Sequence, residues 1–250
     1  MRWIPAAVWA TALALIAPST LAGEMAVSAA ASLGDGFRAI GRAFEQSRPG
    51  AKVVLNFGAS GQLLQQILAG APVDVLATAD LDTMEKAERQ SAVAVGSKVI
   101  FARNDLVVAV PMTSSLALRT LADLSRPQVK RIAIGNPDSV PAGRYARDVL
   151  VTARLWSDLQ DRLVFAQNVR QALDYVARDE VDAAFVYRTD ALLATNRAQI
   201  AFVTKTETPL RYPAAVVTGS ANPADAEAFV RFLLTEPAQR ILEKYGFGRP

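Results

Sequence analysis

The 250-residue sequence contains no histidine and no cysteine, and its 27 Lys and Arg against 24 Asp and Glu give a net charge of +3. The absent residue types are the commonest metal ligand, the usual general base and the source of disulfides, so we expect no transition-metal site. The small excess of positive charge is not gathered into a basic run, so nucleic-acid binding is not predicted.

Residues 1–22 have the pattern of a cleaved export signal. Met1-Arg2 is a short basic start, residues 3–17 are almost wholly apolar, and residues 18–22 end in small side chains. An uncleaved anchor is the alternative, but the apolar run is short for a membrane span. We therefore expect cleavage after Ala22 and a periplasmic location, with no cysteine to carry a lipid.

The chain after the signal alternates short apolar runs with helical periodicity. The first run ends at Ser32, which is predicted to be a strand-to-helix hinge and a helix N-cap. The alternation continues in the predicted strands Lys52 to Phe57 and Val73 to Ala77, with a helix after each. This βαβαβα order indicates a parallel sheet covered by helices.

A second series of elements follows from residue 99. Strands are predicted at Val99 to Phe101, Leu106 to Val110, Arg131 to Gly135, Leu163 to Ala166, Ala183 to Tyr187, Ile200 to Val203 and Ala214 to Val217. Residues 204–213 are expected to be irregular, and two closing helices begin after Asn222 and Thr235. The prediction is an α/β protein with two lobes, residues 23–104 with 211–250 and residues 105–210.

Several predicted helix starts lie at one edge of these sheets. In parallel α/β sheets, ligands bind at the carboxyl ends of the strands, where the next helices begin. Ser32, Ser60, the loop at 141–143 and Asn168-Val169 occupy such positions, and Tyr187 ends a strand there. Each of these residues alone is an ordinary cap, turn or core residue. Together their N–H groups, hydroxyls and helix dipoles predict an anion site without a formal cation.

The same segments resemble the periplasmic molybdate-binding proteins of ABC transporters. The resemblance is carried by AAASL (29–33), FGASGQLLQQILAGAPVDVLATAD (57–80), GNPDSVPAGRYA (135–146), NVRQAL (168–173), VDAAFVYRTDA (181–191), YPAAVV (212–217) and KYGF (244–247). It implies the type II periplasmic-binding-protein fold, with molybdate or tungstate in the cleft between two lobes. It also implies a monomer that delivers its ligand to an inner-membrane ABC permease, with no cofactor.

On the family pattern, five residues contact the oxyanion and none binds the metal atom directly. They are Ser32 and Ser60 from the first lobe, and Ala142, Val169 and Tyr187 from the second. Ala142 and Val169 would act through their backbone N–H groups. The turn at 58–61 departs from the serine-rich turn of many relatives, although the hydroxyl at position 60 is kept.

The chemistry of these positions fits an anion that only accepts hydrogen bonds. Molybdate and tungstate are unprotonated dianions at neutral pH, whereas hydrogenphosphate carries a proton and needs an acceptor. Sulfate also fits a donor-only site, so a receptor for sulfate or another tetrahedral oxyanion remains the alternative. Arg144 and Arg170 are expected to attract the anion over long range without touching it.

Two other classes of protein are less consistent with the sequence. Residues 58–61 resemble a nucleophile elbow, but the pattern needs glycine at position 62, which is Gln62, and no histidine could activate the serine. A ligand-sensing domain of a transcription regulator can share the fold, but it would carry a DNA-binding segment where the export signal lies. We therefore expect a binding protein and not an enzyme.

Overall fold

The computed structural model describes residues 24–250 of the chain. Its strands are β1 Glu24–Ala30, β2 Lys52–Gly58, β3 Val75–Ala77, β4 Val99–Asn104, β5 Leu106–Pro111, β6 Ile132–Gly135, β7 Leu163–Ala166, β8 Ala183–Tyr187, β9 Ala198–Val203 and β10 Leu210–Val216. Its helices are α1 Gly34–Ser47, α2 Ser60–Leu68, α3 Leu81–Arg89, α4 Pro141–Thr152, α5 Trp156–Leu159, α6 Val169–Ala177, α7 Arg188–Leu193, α8 Pro223–Phe232 and α9 Glu236–Lys244. The predicted export signal lies outside the described residues. No helix within 24–250 has the length and apolar character needed to span a bilayer.

Two five-stranded sheets form the centres of two lobes. The sheet of lobe 1 has the order β2-β1-β3-β10-β4, and the sheet of lobe 2 has the order β7-β6-β8-β5-β9. In lobe 1, β1 pairs in parallel with β2 and β3, and β10 runs antiparallel to β3 and β4. In lobe 2, β6 pairs in parallel with β7 and β8, and β5 runs antiparallel to β8 and β9. The predicted α/β fold with two lobes is confirmed.

The chain passes between the sheets twice. It leaves lobe 1 between β4 and β5 at Asp105, and it returns between β9 and β10. The two crossings lie side by side, because the N–H of Thr204 donates to the carbonyl of Leu106 over 2.9 Å and Leu210 pairs with Asn104. The residue limits of the lobes, 23–104 with 211–250 and 105–210, stay a prediction.

Helices cover both faces of the first sheet because their apolar residues recur at helical spacing. On one face, α1 buries Phe37, Ile40 and Phe44, and the Phe44 ring packs edge-on against Phe229 of α8 at 5.2 Å. On the other face, Leu63 and Leu64 of α2 join Met84 of α3 in a separate cluster. Each such side chain contributes roughly 1.5–3 kcal/mol of burial. This packing fixes where the helices begin.

Three local predictions were wrong. Ser32 is not the N-cap of α1, because the chain first makes a short 3-10 turn over Ala31–Leu33 and the helix then starts at Gly34. The strand at Val73 is shorter than expected and begins at Val75. The region 204–213 is not irregular throughout, because β10 begins at Leu210 and pairs with β4.

Candidate functional site

The five residues that the sequence singled out line one cavity between the lobes. This small cavity of about 10 Å³ is near the size that a single ordered water needs. Its lining carries no charged side chain and consists of Ala30, Ala31, Ser32, Gly58, Ala59, Ser60, Ala79, Val140, Pro141, Ala142, Asn168, Val169 and Tyr187. A site with this lining can recognise a ligand only through neutral dipoles.

Ser60 opens α2 and is fully buried. It is the first helical residue, and Ala59 takes the N-cap position without a side-chain cap. The Ser60 Oγ accepts a hydrogen bond of 3.1 Å from the backbone N–H of Ala79. Since this bond uses a lone pair, the hydroxyl hydrogen remains available to donate.

Ser32 is oriented by a series of hydrogen bonds from the crossing strands. The Asn104 side-chain amide donates to the Tyr212 hydroxyl over 3.1 Å, and that hydroxyl lies 3.2 Å from the Ser32 Oγ. The Tyr212 oxygen accepts from Asn104, and either hydroxyl of the Tyr212–Ser32 pair can donate to the other. When Tyr212 donates, the Ser32 hydroxyl is free to donate into the cavity. Burial raises the pKa of Tyr212 well above its ordinary value, so this donor stays protonated.

Ala142 and Val169 occupy the first turns of α4 and α6. Pro141 is the first residue of α4, and the Asn168 side chain caps α6 by accepting from the N–H of Gln171 over 3.0 Å. First-turn N–H groups have no acceptor within their own helix. The two helices therefore direct free donors and the positive ends of their dipoles to the cavity. The predicted Asn168 cap is confirmed.

Close packing of glycines brings the start of α4 to this position. A Cβ added at Gly143 would lie 1.9 Å from the carbonyl oxygen of Gly135, the last residue of β6. Only glycine at 143 allows the helix to begin so close to the strand. The backbone of Ala142 is thereby held at the carboxyl end of the sheet.

Tyr187 ends β8 and is 1% exposed. Its hydroxyl donates to the carbonyl of Ala79 in lobe 1 over 3.3 Å. Burial raises the pKa of the Tyr187 phenol well above its ordinary value, so the group remains a donor at any physiological pH. Ala79 thus contacts both Ser60 and Tyr187 through its backbone, a role that the sequence pattern did not reveal.

Arg144 and Arg170 do not line the cavity, but they are not free to attract an anion over long range as expected. Arg144 of lobe 2 pairs with Asp80 of lobe 1, and Arg170 pairs with Asp35 of lobe 1 and Asp190 of its own lobe. Paired charges largely cancel each other's field at a distance. The sequence had given Asp80 only the role of an N-cap, which it also fills by accepting from the N–H of Thr83.

Metal coordination by side chains has no support in the part of the chain that the structure describes. Within residues 24–250, no three His, Cys, Asp or Glu side chains are grouped so that they could hold a metal ion. The donors at the cavity are hydroxyls and backbone N–H groups, which bind anions.

The family described as bacterial extracellular solute-binding protein matches residues 25–248. The Escherichia coli molybdate-binding protein ModA is 34% identical over 230 residues, which cover 90% of this chain and 89% of that protein. The chain belongs to this solute-binding family and is a relative of the ModA proteins. Within the family, the two-lobed type II periplasmic-binding-protein fold expected from the sequence is confirmed.

Two solved structures agree with that fold. The periplasmic molybdate-binding protein of Azotobacter vinelandii matches with a TM-score of 0.81 and 27% identity, covering 90% of this chain and 99% of that one. The sulfate-binding protein SubI of Mycobacterium tuberculosis matches with a TM-score of 0.79 over 90% of this chain and 86% of its own, at 19% identity. The second likeness shows the fold alone.

Proposed function

We propose that this protein is a periplasmic receptor that captures molybdate, and tungstate with it, and delivers the anion to an inner-membrane ABC importer. Support comes from its similarity to several proteins named ModA, at 28–34% identity over most of the chain. Export rests on the signal-like residues 1–22 and on membership of an extracellular solute-binding family.

One observation carries the proposal: all five residues implied by the family resemblance line a single uncharged cavity. Two hydroxyls come from lobe 1, and two helix N-termini and a phenol come from lobe 2. The Ser60 hydroxyl keeps its hydrogen for a ligand, and the Ser32 hydroxyl can donate when Tyr212 donates to it. The protonated Tyr187 phenol can donate once it turns from the Ala79 carbonyl. An oxyanion that only accepts hydrogen bonds is the ligand that such a site satisfies.

The proposed mechanism is reversible binding without covalent chemistry. Each lobe supplies half of the donors, so the anion would hold the lobes together and its release would need them to separate. One chain contains both half-sites, which supports action as a monomer. The side-chain donors need no cofactor, and no basic residue stands beside either serine in the cavity lining to activate it as a nucleophile.

A panel of oxyanions tests the proposal. Calorimetry and thermal unfolding would compare molybdate, tungstate, sulfate and phosphate with the same purified protein. At a hundred times Kd, a ligand stabilises the folded state by about 2.7 kcal/mol, which is roughly 5–10 °C in Tm for a chain of this size. We expect this shift for molybdate and tungstate only. No response to any of the four anions would contradict the proposal, and an equal response to sulfate would contradict the selectivity.

A further inference from the structure

Two arginines of lobe 2 reach across the cleft to carboxylates of lobe 1. The first is Arg144 of α4, whose Nε lies 3.2 Å from an Asp80 carboxylate oxygen and whose Nη2 contacts the same oxygen. Nη2 also donates to the Thr83 Oγ1 over 2.7 Å. The side chains of Arg144 and Asp80 are 18% and 3% exposed, so this pair is largely shielded from solvent.

The second is Arg170 of α6, which directly follows the cavity residue Val169. Its Nη1 is 3.1 Å from the carboxylate of Asp35, and its Nη2 donates to the Ser32 carbonyl over 3.4 Å. Behind it, the fully buried Asp190 of the same lobe lies 2.5 Å from the Arg170 Nε. Asp190 therefore holds the guanidinium in place to face lobe 1.

We infer that the Arg144–Asp80 and Arg170–Asp35 pairs hold the lobes in the closed form and thereby set how fast the bound anion leaves. This inference rests on the proposed function. The arginines are positioning residues, since neither lines the cavity. It replaces the expectation that they act by long-range attraction.

The position of each pair couples it to the candidate site. Arg144 follows Ala142 by two residues, and Arg170 directly follows Val169. On lobe 1, Asp80 directly follows Ala79, whose backbone contacts both Ser60 and Tyr187. A movement that brings the two half-sites together therefore also forms the two pairs.

Backbone contact between the lobes shows how close this approach is. The N–H of Gly61 in lobe 1 donates to the carbonyl of Ser139 in lobe 2 over 3.0 Å. A Cβ at position 61 would lie only 2.8 Å from that carbonyl oxygen. The lobes therefore meet without an intervening side chain beside the Arg144–Asp80 pair.

Electrostatics explains why the pairs affect release more than association. When the lobes separate, both charged groups of each pair become hydrated, so neither group destabilises the open form. When the lobes are closed, removing Arg144 leaves the Asp80 carboxylate shielded and unpaired, which destabilises the closed form. Asp35 is 39% exposed, so removing Arg170 destabilises the closed form less. Truncating one partner of a buried charge pair acts mainly on the dissociation rate.

The test measures rates with radiolabelled molybdate and an excess of unlabelled chase. R144Q and R170Q are compared with R147Q in α4 and R178Q at the C-cap of α6, which each remove one positive charge. Among residues 24–250, Arg147 forms an ion pair only with Asp148 of its own helix. We expect release to become at least tenfold faster for R144Q and severalfold faster for R170Q, with association within about twofold of the controls. Slower association with unchanged release would support long-range attraction and overturn the inference.

A double variant tests whether the pair acts as a unit. D80N keeps an oxygen that can cap α3, and it removes the charge that Arg144 faces. Because D80N/R144Q leaves no shielded charge unpaired, we expect it to release molybdate more slowly than R144Q alone. If the two substitutions changed the release rate by independent factors that multiply in the double variant, the inference would be contradicted.

A readout without ligand separates this inference from the proposed function. If the oxyanion panel finds no ligand, the proposed function fails, and small-angle scattering of the unliganded protein still tests the pairs. We expect the wild type to have a smaller radius of gyration than R144Q/R170Q. Equal radii in that case would overturn the inference.

Discussion

The two lobes contribute to the candidate site by different means. Lobe 1 supplies the hydroxyls of Ser32 and Ser60, whereas lobe 2 supplies the backbone N–H groups of Ala142 and Val169 together with the Tyr187 phenol. The hydroxyls of lobe 1 are oriented by hydrogen bonds from Tyr212 and from the backbone of Ala79. The N–H groups of lobe 2 are oriented by helix geometry alone.

This difference determines which substitutions can damage each half-site. A serine-to-alanine change deletes a donor of lobe 1 directly. In lobe 2, the donors at Ala142 and Val169 belong to the backbone, so only a change that moves the start of their helix removes them, whereas the Tyr187 phenol is a side-chain group. We therefore expect substitutions to remove the backbone donors of lobe 2 by disturbing the packing of a helix, and the donors of lobe 1 by deleting a side-chain hydroxyl.

The largest effect is expected for Gly143→Ala. The new Cβ would lie 1.9 Å from the Gly135 carbonyl oxygen, so the start of α4 must move away from β6. We expect the free energy of unfolding to fall by about 3 kcal/mol or more, and oxyanion binding to be lost. Urea unfolding and calorimetry would measure both.

Gly36→Ala in α1 is the matched control for that change. Its Cβ would meet only side-chain atoms at 3.8 Å, and alanine favours a helix by about 0.8–1 kcal/mol over glycine. The control should bind normally and unfold at the same or higher urea concentration. If Gly143→Ala behaved like the control, the close packing of α4 on β6 would not position the lobe 2 donors.

The next effect is a pH dependence of stability in lobe 2. Burial raises the pKa of Asp190 from its ordinary 3.8 to about 6, against the lowering effect of Arg170. Asp35 lies on the other side of that guanidinium, and the Tyr187 and Tyr212 phenols also face this region. Protonation of Asp190 thus stabilises the fold fully below about pH 4, and this contribution is lost as the pH rises through about 6.

Asp190→Asn removes this titration. Its free energy of unfolding, relative to the wild type, should increase by about 3 kcal/mol between pH 4 and pH 7. Urea unfolding across that range measures the difference, with the exposed Asp148→Asn as a control for the loss of one carboxylate. A constant difference between Asp190→Asn and the wild type would show that the buried carboxylate does not titrate there.

Ser60→Ala tests the hydroxyls of lobe 1. The variant loses one donor to the oxyanion, and we expect binding to weaken by about 1–3 kcal/mol in calorimetry. It also leaves the Ala79 N–H without its acceptor, so the free energy of unfolding is measured separately. Ser47→Ala, at the far end of α1, should leave binding unchanged. Wild-type affinity for Ser60→Ala would place the anion elsewhere.

The smallest effect is expected for Tyr212→Phe. The ring stays in the core, but the Ser32 Oγ loses its hydrogen-bond partner and can turn away from the cavity. Binding should weaken by about 1 kcal/mol, roughly fivefold, measured by calorimetry. Tyr175→Phe, a half-buried tyrosine of α6, is the control. An effect as large as that of Ser60→Ala would mean that Tyr212 itself contacts the ligand.

Much of the fold could be predicted because it depends on local sequence patterns. Apolar periodicity located α1, and the Asn168 cap and Pro141 located the helices that begin at the cavity. The cap predicted at Ser32 failed because the chain makes a 3-10 turn before α1, and the Ser32 hydroxyl instead contacts Tyr212, a residue 180 positions away. No local pattern encodes such a contact.

The ion pairs between the lobes were missed for the same reason. Arg144 and Asp80 are 64 residues apart, and each has an ordinary local explanation, as a helix residue and as an N-cap. Their pairing depends on how closely the two lobes approach. The parallel sheets predicted that the strand ends and helix starts at the cavity lie together. Ala142 and Val169 as individual contact residues were expected only from the family resemblance, because their side chains carry no polar signal.

The hydrogen-bond series from Asn104 through Tyr212 to Ser32 begins at a group that can only donate. The Asn104 amide nitrogen has no lone pair, so the Tyr212 oxygen accepts there and the phenol hydrogen remains available for Ser32. With the phenol hydrogen on Ser32, the serine hydrogen faces the cavity and suits an unprotonated oxygen better than a P–OH group. A neutral serine can therefore contribute to discrimination against hydrogenphosphate without a repelling carboxylate.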